Sequence, residues 1–278
     1  MTAPAPPAPP GTIETRFRRA RAEGRKLLVP YVTGGLGPNW VEVVAAVAGA
    51  GADAVEVGIP FSDPVIDGPV IQEASRRALA SGATPGGILD GLATLPPGVP
   101  LVAMTYANVA YHAGLRAFAR ALAGAGVAGA ILPDLPLDEA GDWMAATSGA
   151  GVEAILLAAP TTPEDRLARI CAASRGWVYG VGVVGVTGER ASVAGTVAAV
   201  AGRLKACTDL PVLVGLGIST PEQAAEVAAL ADGVIVGSAL VRRLLEGAGP
   251  EGAAAFVAEL RAGLDAGAPT APARSSAG

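Results

Sequence analysis

Histidine, cysteine and aromatic side chains are scarce in this chain: one His, two Cys and 4% Phe, Trp and Tyr among 278 residues. The single histidine, His112, is too little for a His-rich metal site and a poor basis for a Ser-His-Asp triad, so it reads as a surface residue. Cys171 and Cys207 lack CxxC spacing and sit in helix-like stretches, which makes them small buried hydrophobes rather than a disulfide or metal pair. Long apolar runs are missing as well. Although 51% of residues are hydrophobic and mean hydropathy is +0.46, Gly, Pro or charge interrupts every run before the roughly 18 residues a spanning helix needs. A soluble protein with no membrane partner is expected. Net charge is −5 with a pI near 5.0, which argues against a nucleic-acid partner and favours a cytoplasmic enzyme.

With so few aromatics, the interior must be built from Ala, Val, Leu and Ile. Short β-branched runs alternate with Ala-rich stretches of helical period, the pattern of βα units around a parallel sheet. After a leading helix over Thr12 to Glu23, strands are predicted at Lys26 to Val32, Ala54 to Val57, Pro100 to Thr105, Gly129 to Leu132, Glu153 to Leu157, Trp177 to Val181, Pro211 to Val214 and Gly233 to Val236. Helices are predicted between them, among others at Pro38 to Ala50, Gly114 to Ala125, Pro163 to Ala173, Ser192 to Cys207 and Thr220 to Ala229. Thr162-Pro163-Glu164 and Thr220-Pro221-Glu222 each place a capping hydroxyl before a proline and an acid in the first turn. Eight such units fit a closed (β/α)8 TIM barrel with an extra N-terminal helix better than a doubly wound sheet. Residues 1–11 and 265–278 read as disordered tails, the first without the basic start and apolar core of a signal peptide, leaving one catalytic domain over 12–264.

In a barrel, chemistry gathers where strands end and lead into helices. Glu56 lies at such an end, inside the apolar run Ala54 to Ile59. An unpaired buried carboxylate must neutralise or shift its pKa upward, which makes Glu56 a candidate proton carrier. Asp67 follows eleven positions later in a loop restrained by Pro60 and Pro64. Paired carboxylates in different environments can divide acid and base roles. The duller reading pairs Glu56 with an interior cation and makes Asp67 a cap for the helix starting near Pro69, but no Lys or Arg falls at a strand centre.

Gly215-Leu216-Gly217-Ile218-Ser219 follows the seventh strand, and Gly237-Ser238-Ala239 follows the eighth while opening a helix. Barrel enzymes often hold phosphate at this pair of loops, where backbone N–H groups and a helix N-terminus face the anion. Gly180-Val181-Gly182-Val183-Val184-Gly185 matches the dinucleotide fingerprint in letters only, because the helix does not open there and the expected later acid is missing. It reads better as a lid, with Thr187 and Gly188 within reach of substrate or Asp67. Tyr106 and Tyr179, at the ends of the third and sixth strands, point toward the same mouth.

Ordered motifs along the chain resemble the α subunit of tryptophan synthase: Val29-Pro30-Tyr31-Val32-Thr33, the stretch from Glu56 through Gln72, Met104-Thr105-Tyr106-Ala107-Asn108, Pro133-Asp134-Leu135-Pro136, Ala159 to Pro163, Gly185-Val186-Thr187-Gly188, Gly215 to Pro221 and Asp232 to Leu240. The resemblance runs from about Phe17 to about Leu260. It implies a barrel that cleaves indole-3-glycerol phosphate to indole and glyceraldehyde 3-phosphate by a retro-aldol reaction, without a metal or cofactor of its own. It also implies a pyridoxal-phosphate β subunit as partner, in an α2β2 heterotetramer. By the resemblance Glu56 is the acid/base and Asp67 the carboxylate that holds the indole N–H. Tyr179 is a site tyrosine, Gly188, Gly217, Gly237 and Ser238 form the phosphate cradle, and Thr187 is the lid threonine. Gly182-Val183 departs from the family's Ser-Arg, Gly35-Leu36-Gly37-Pro38 from its Gly-Asp-Pro, and Leu216 from its usual Phe. Two other readings use the same residues: a stand-alone lyase that releases free indole, and a catalytically silent barrel that acts only as an allosteric partner.

Overall fold

The computed structural model describes residues 9–182, 193–215 and 217–267. All the sheet pairings in it are parallel, with strands β1 (Leu27–Thr33), β2 (Val55–Gly58), β3 (Leu101–Met104), β4 (Val127–Ile131), β5 (Glu153–Ala154), β6 (Leu156–Ala158), β7 (Val178–Val181), β8 (Val212–Gly215) and β9 (Gly233–Val236) in the order β5-β4-β3-β2-β1-β9-β8-β7-β6. The two ends of that order are halves of a single run, so the sheet closes into a barrel. Eight strands were expected and nine are found because the fifth breaks at Ile155. At that point the run leaves β4 and joins β7. Ile155 N–H still donates to the Ala130 carbonyl at 3.0 Å, while Leu156 N–H turns to the Ser174 hydroxyl at 3.1 Å. Ser174 in turn donates to the Trp177 carbonyl at 2.6 Å, so a side chain supplies what the ladder drops at the switch.

Alternation along the strands separates two cores. Outward residues such as Val55, Val57, Val212 and Val214 pack under the surrounding helices, while Leu27, Val29, Ala54, Val102, Ile131, Ile155, Leu213 and Ile235 fill the barrel. The helix Thr12–Ala22 plugs the floor, with Ile13 and Phe17 fully buried and Phe17 stacked on Trp177 at 5.4 Å between ring centroids. Its N-terminus is capped from the barrel. The Glu153 carboxylate accepts the backbone N–H of Ile13 at 2.7 Å and of Glu14 at 3.0 Å. Gly11 is required there, since a Cβ would run into Glu153.

Start signals divide. The Thr220 hydroxyl accepts Gln223 N–H at 3.3 Å as expected, and Thr84 does the same for Gly87 at 3.1 Å. Thr162 instead accepts Ala159 N–H at 3.0 Å, so it closes the turn before its helix and Pro163 stands at the helix start. His112 is exposed and Cys171 buried as read, but Cys207 is exposed at the end of its helix, contrary to expectation. The last helix runs over Gly249–Ala266. Among the described residues no helix is long and apolar enough to cross a membrane.

Candidate active site

Inward positions at the C-terminal ends of the strands line a cavity of about 240 Å³. Tyr31, Glu56, Met104, Leu157, Tyr179, Gly215 and Ile235 contribute from the strands, Asp67 from the loop after β2 and Gly237 from the turn after β9. Two larger hollows, about 430 and 350 Å³, flank the loop after β1 outside the barrel and contain no buried carboxylate.

Glu56 is 1% exposed, and its Oε2 has no hydrogen-bond partner among the described residues. Burial, and then the Asp67 charge, push its carboxyl up to about 8, so it holds its proton at neutral pH. Among the described residues no cation pairs with it; the causes of its shift are burial and Asp67 alone. Asp67 is also raised by burial, but a hydrogen bond with Tyr106 offsets part of the rise. The two acids are therefore driven apart, with Glu56 the more strongly neutralised. Burial and the neighbouring acids raise the Tyr31 and Tyr179 phenols, which stay protonated and serve only as neutral hydroxyls.

The loop holding Asp67 is restrained by more than its prolines. Asp67 N–H donates to the Pro64 carbonyl at 3.1 Å, the Gln72 amide donates to the Asp67 carbonyl at 2.9 Å, and the Tyr106 hydroxyl accepts Ile66 N–H at 3.1 Å. Phe61 from the same loop stacks on Tyr106 with centroids 5.1 Å apart. Asp67 does not cap the helix Pro69–Ala80, whose first residue follows Gly68 without a side-chain cap.

Two glycines make room for the tyrosines. A Cβ on Gly58 would overlap the Tyr31 hydroxyl outright, and one on Gly215 would lie 2.6 Å from the Tyr179 hydroxyl. Each ring reaches a neighbouring strand at a glycine, where no side chain obstructs it. Opposite the acids, Gly217 adopts φ +50, a left-handed conformation that favours glycine, and Gly237 precedes the helix Ser238–Leu245. Gly217, Gly237 and Ser238 all line the cavity, so its far wall is a helix N-terminus suited to an anion.

Of the residues singled out in the sequence, Glu56, Asp67, Tyr179, Gly217, Gly237 and Ser238 meet at this one cavity. Tyr106 does not line it. It lines a small side chamber shared with Asp67, and its hydroxyl is tied to the site through Ile66 N–H and Asp67, both of which line the cavity. Thr187, Gly188, Val183 and Leu216 lie outside the described residues. Sequence reasoning missed Tyr31, which the alternation from Leu27 could have placed beside Glu56, its partner in the β1 to β2 register. Among the described residues no group of three His, Cys, Asp or Glu side chains is arranged to hold a metal ion.

A family model described as "Tryptophan synthase alpha chain" matches residues 17–266. A tryptophan synthase alpha chain from Prochlorococcus marinus is 46% identical over 239 residues, covering 84% of this chain and 86% of the relative. Another from Thermobifida fusca is 44% identical, covering 92% and 98%. Among solved structures, a Mycobacterium tuberculosis tryptophan synthase superposes with a TM-score of 0.84 at 41% identity, covering 92% of this chain and 99% of that one. The tryptophan synthase subunit alpha of Legionella pneumophila gives 0.83 at 33% identity, with coverage of 92% and 99%.

Proposed function

The chain belongs to the tryptophan synthase alpha chain family, and from that premise we propose how its own residues carry out the reaction. It is a carbon–carbon lyase that cleaves indole-3-glycerol phosphate to indole and glyceraldehyde 3-phosphate, a step of tryptophan biosynthesis.

The observation that carries the residue assignment is the buried, neutral Glu56 facing the same cavity as Asp67. Breaking the bond between the ring and the glycerol chain requires C3 of the indole to be protonated first, so that the ring can accept the bonding electrons. Glu56 gives that proton. Asp67, ionised beside N1–H, stabilises the positive charge that develops on the ring. The carboxylate left at Glu56 takes the proton of the glycerol hydroxyl next to the breaking bond. The carbon–carbon bond then opens, its electrons return to the ring, the hydroxyl carbon becomes the aldehyde, and Glu56 is again protonated. A positioned acid/base of this kind contributes roughly 10²- to 10⁴-fold.

Gly217, Gly237 and Ser238 hold the phosphate with backbone N–H groups, joined by Gly188 on the resemblance of its motif. Tyr179 packs against the substrate, and Thr187 meets Asp67 from the lid. The chain needs no cofactor of its own. Its partner is a tryptophan synthase β subunit, carrying pyridoxal phosphate, in an α2β2 heterotetramer in the cytoplasm, with residues 12–264 as its catalytic domain. Val65 and Ile66, 82% and 51% exposed on the loop that carries Asp67, support a docked partner at this face. Indole release from indole-3-glycerol phosphate, measured with and without β subunit, tests the assignment. Strong stimulation by the β subunit is expected, and full turnover by the α chain alone would refute the partner-dependent reading.

A further inference from the structure

Next to the main cavity, and sharing Tyr31, Asp67 and Met104 with it, lies a second chamber of about 10 Å³. Tyr31, Asp67, Ser75, Thr105 and Tyr106 line it with polar side chains, and Ile59, Phe61 and Met104 complete the wall. That volume accommodates a single water molecule, and a buried water persists where two to four polar groups can hold it.

The bonding capacity of the lining groups narrows the choice of partners. Thr105 spends its proton on the Ile59 carbonyl at 3.2 Å. Tyr106 accepts Ile66 N–H and hydrogen-bonds Asp67, which commits its proton and one lone pair. Ser75 is 3% exposed in the helix Pro69–Ala80, and no hydrogen bond of its hydroxyl is found among the described residues. A serine in mid-helix often satisfies itself on a carbonyl one turn back, and Ser75 does not; its hydroxyl is left to the chamber it lines.

We propose that this chamber is a site for one ordered water, held between the Ser75 hydroxyl and the Asp67 carboxylate, which supports Asp67 beside the main cavity. The water donates to Asp67 and accepts from Ser75. It thus favours the ionised carboxylate in a pocket with no cation, since no Lys, Arg or His lines either chamber among the described residues. The groups that face Asp67 from the surrounding elements are Glu56 on β2, Tyr31 on β1, Tyr106 after β3 and Tyr179 on β7, each neutral or acidic. Ser75 is a positioning residue, acting through the water on Asp67, and the inference rests on the role of Asp67 proposed above.

The test compares the unmodified chain, in complex with the β subunit, with Ser75→Val and Ser75→Ala. High-resolution electron density is expected to show a water between Ser75 and Asp67 in the parent, none in Ser75→Val, where the branched side chain fills the chamber, and weakened density in Ser75→Ala. In Ser75→Val the acid limb of kcat/KM should move up by about half to one pH unit, with the alkaline limb unmoved. An empty chamber in the parent overturns the proposal, as does an unchanged acid limb in Ser75→Val while Asp67→Asn abolishes turnover. If Asp67→Asn is fully active, the assignment of Asp67 fails while the density still decides the water site. If Ser75→Val does not fold, the parent and Ser75→Ala densities decide it.

Discussion

The Tyr106 hydroxyl accepts the backbone N–H of Ile66 at 3.1 Å, which ties the loop that carries Asp67 to the end of β3. Tyr106 was expected to point toward the same mouth as Tyr179. Its hydrogen bond with Asp67 suits it to supporting the acid, and whether it also touches substrate is measurable.

Tyr106→Phe keeps the ring that stacks on Phe61 but removes both the acceptor for Ile66 and the partner of Asp67. The hydrogen bond lowers the Asp67 pKa, so its loss raises it. The acid limb of the pH–rate profile should shift upward and kcat should fall roughly 5- to 50-fold, with KM changing less. A large rise in KM with kcat intact would restore Tyr106 to the substrate wall.

Glu56→Gln keeps shape but cannot carry a proton, so turnover should fall at least about 10³-fold while substrate analogues still bind, as calorimetry would show. In the mechanism proposed above the active form has Glu56 protonated and Asp67 ionised. Activity should therefore be bell-shaped in pH, falling on the alkaline side near the Glu56 value of about 8.

The same substitution should stabilise the fold. The folded state holds a proton on Glu56 that the unfolded chain releases near 4.5, so parent stability declines as pH rises from about 5 to 8. Glu56→Gln removes that decline, a gain on the order of 2–4 kcal/mol by pH 8. Urea unfolding at both pH values would check it, and parallel pH dependence in the two proteins would contradict it.

Gly58→Ala places a methyl group on the Tyr31 hydroxyl. Backbone on one side and a buried ring on the other leave little room to yield, so a loss of about 1–3 kcal/mol is expected, together with severe loss of activity because Tyr31 lines the cavity. Gly24→Ala is a useful control on strain alone, since Gly24 has φ +79 and open space around it.

Glu153→Ala removes the cap of the floor helix and should cost about 1–3 kcal/mol. The residue lies at the end of the barrel away from the acids. Turnover per folded molecule should be unchanged, and a specific loss of kcat in well-folded protein would mean that the floor reaches the site.

The barrel could be read from the chain because each strand carries its own signal. Gly233–Val236 appears as predicted, and the other strands agree within a few residues. The break at Ile155 could not be read. Nothing local distinguishes it, and it depends on the Ser174 hydroxyl from a segment 18 positions later. Glu56 could be found because an acid in an apolar run is locally anomalous. Glu153 is an acid at a strand start as well, but its partners are backbone N–H groups nearly 140 positions away, which only the fold brings together. The place of Tyr106 beside Asp67 was likewise not legible, since strand alternation gives the side of the sheet a residue faces and cannot tell which neighbour its ring meets.

The fit of Tyr31 over Gly58 and of Tyr179 over Gly215 has an evolutionary consequence. In each pair the glycine cannot acquire a side chain while the tyrosine remains, whereas a smaller residue at the tyrosine position would free the glycine to drift. Once it had drifted, the tyrosine could not return. Substitutions at these pairs are thus ordered in time and act as a ratchet, and lineages that lost the phenol first should show the glycines varied while lineages that kept it should not.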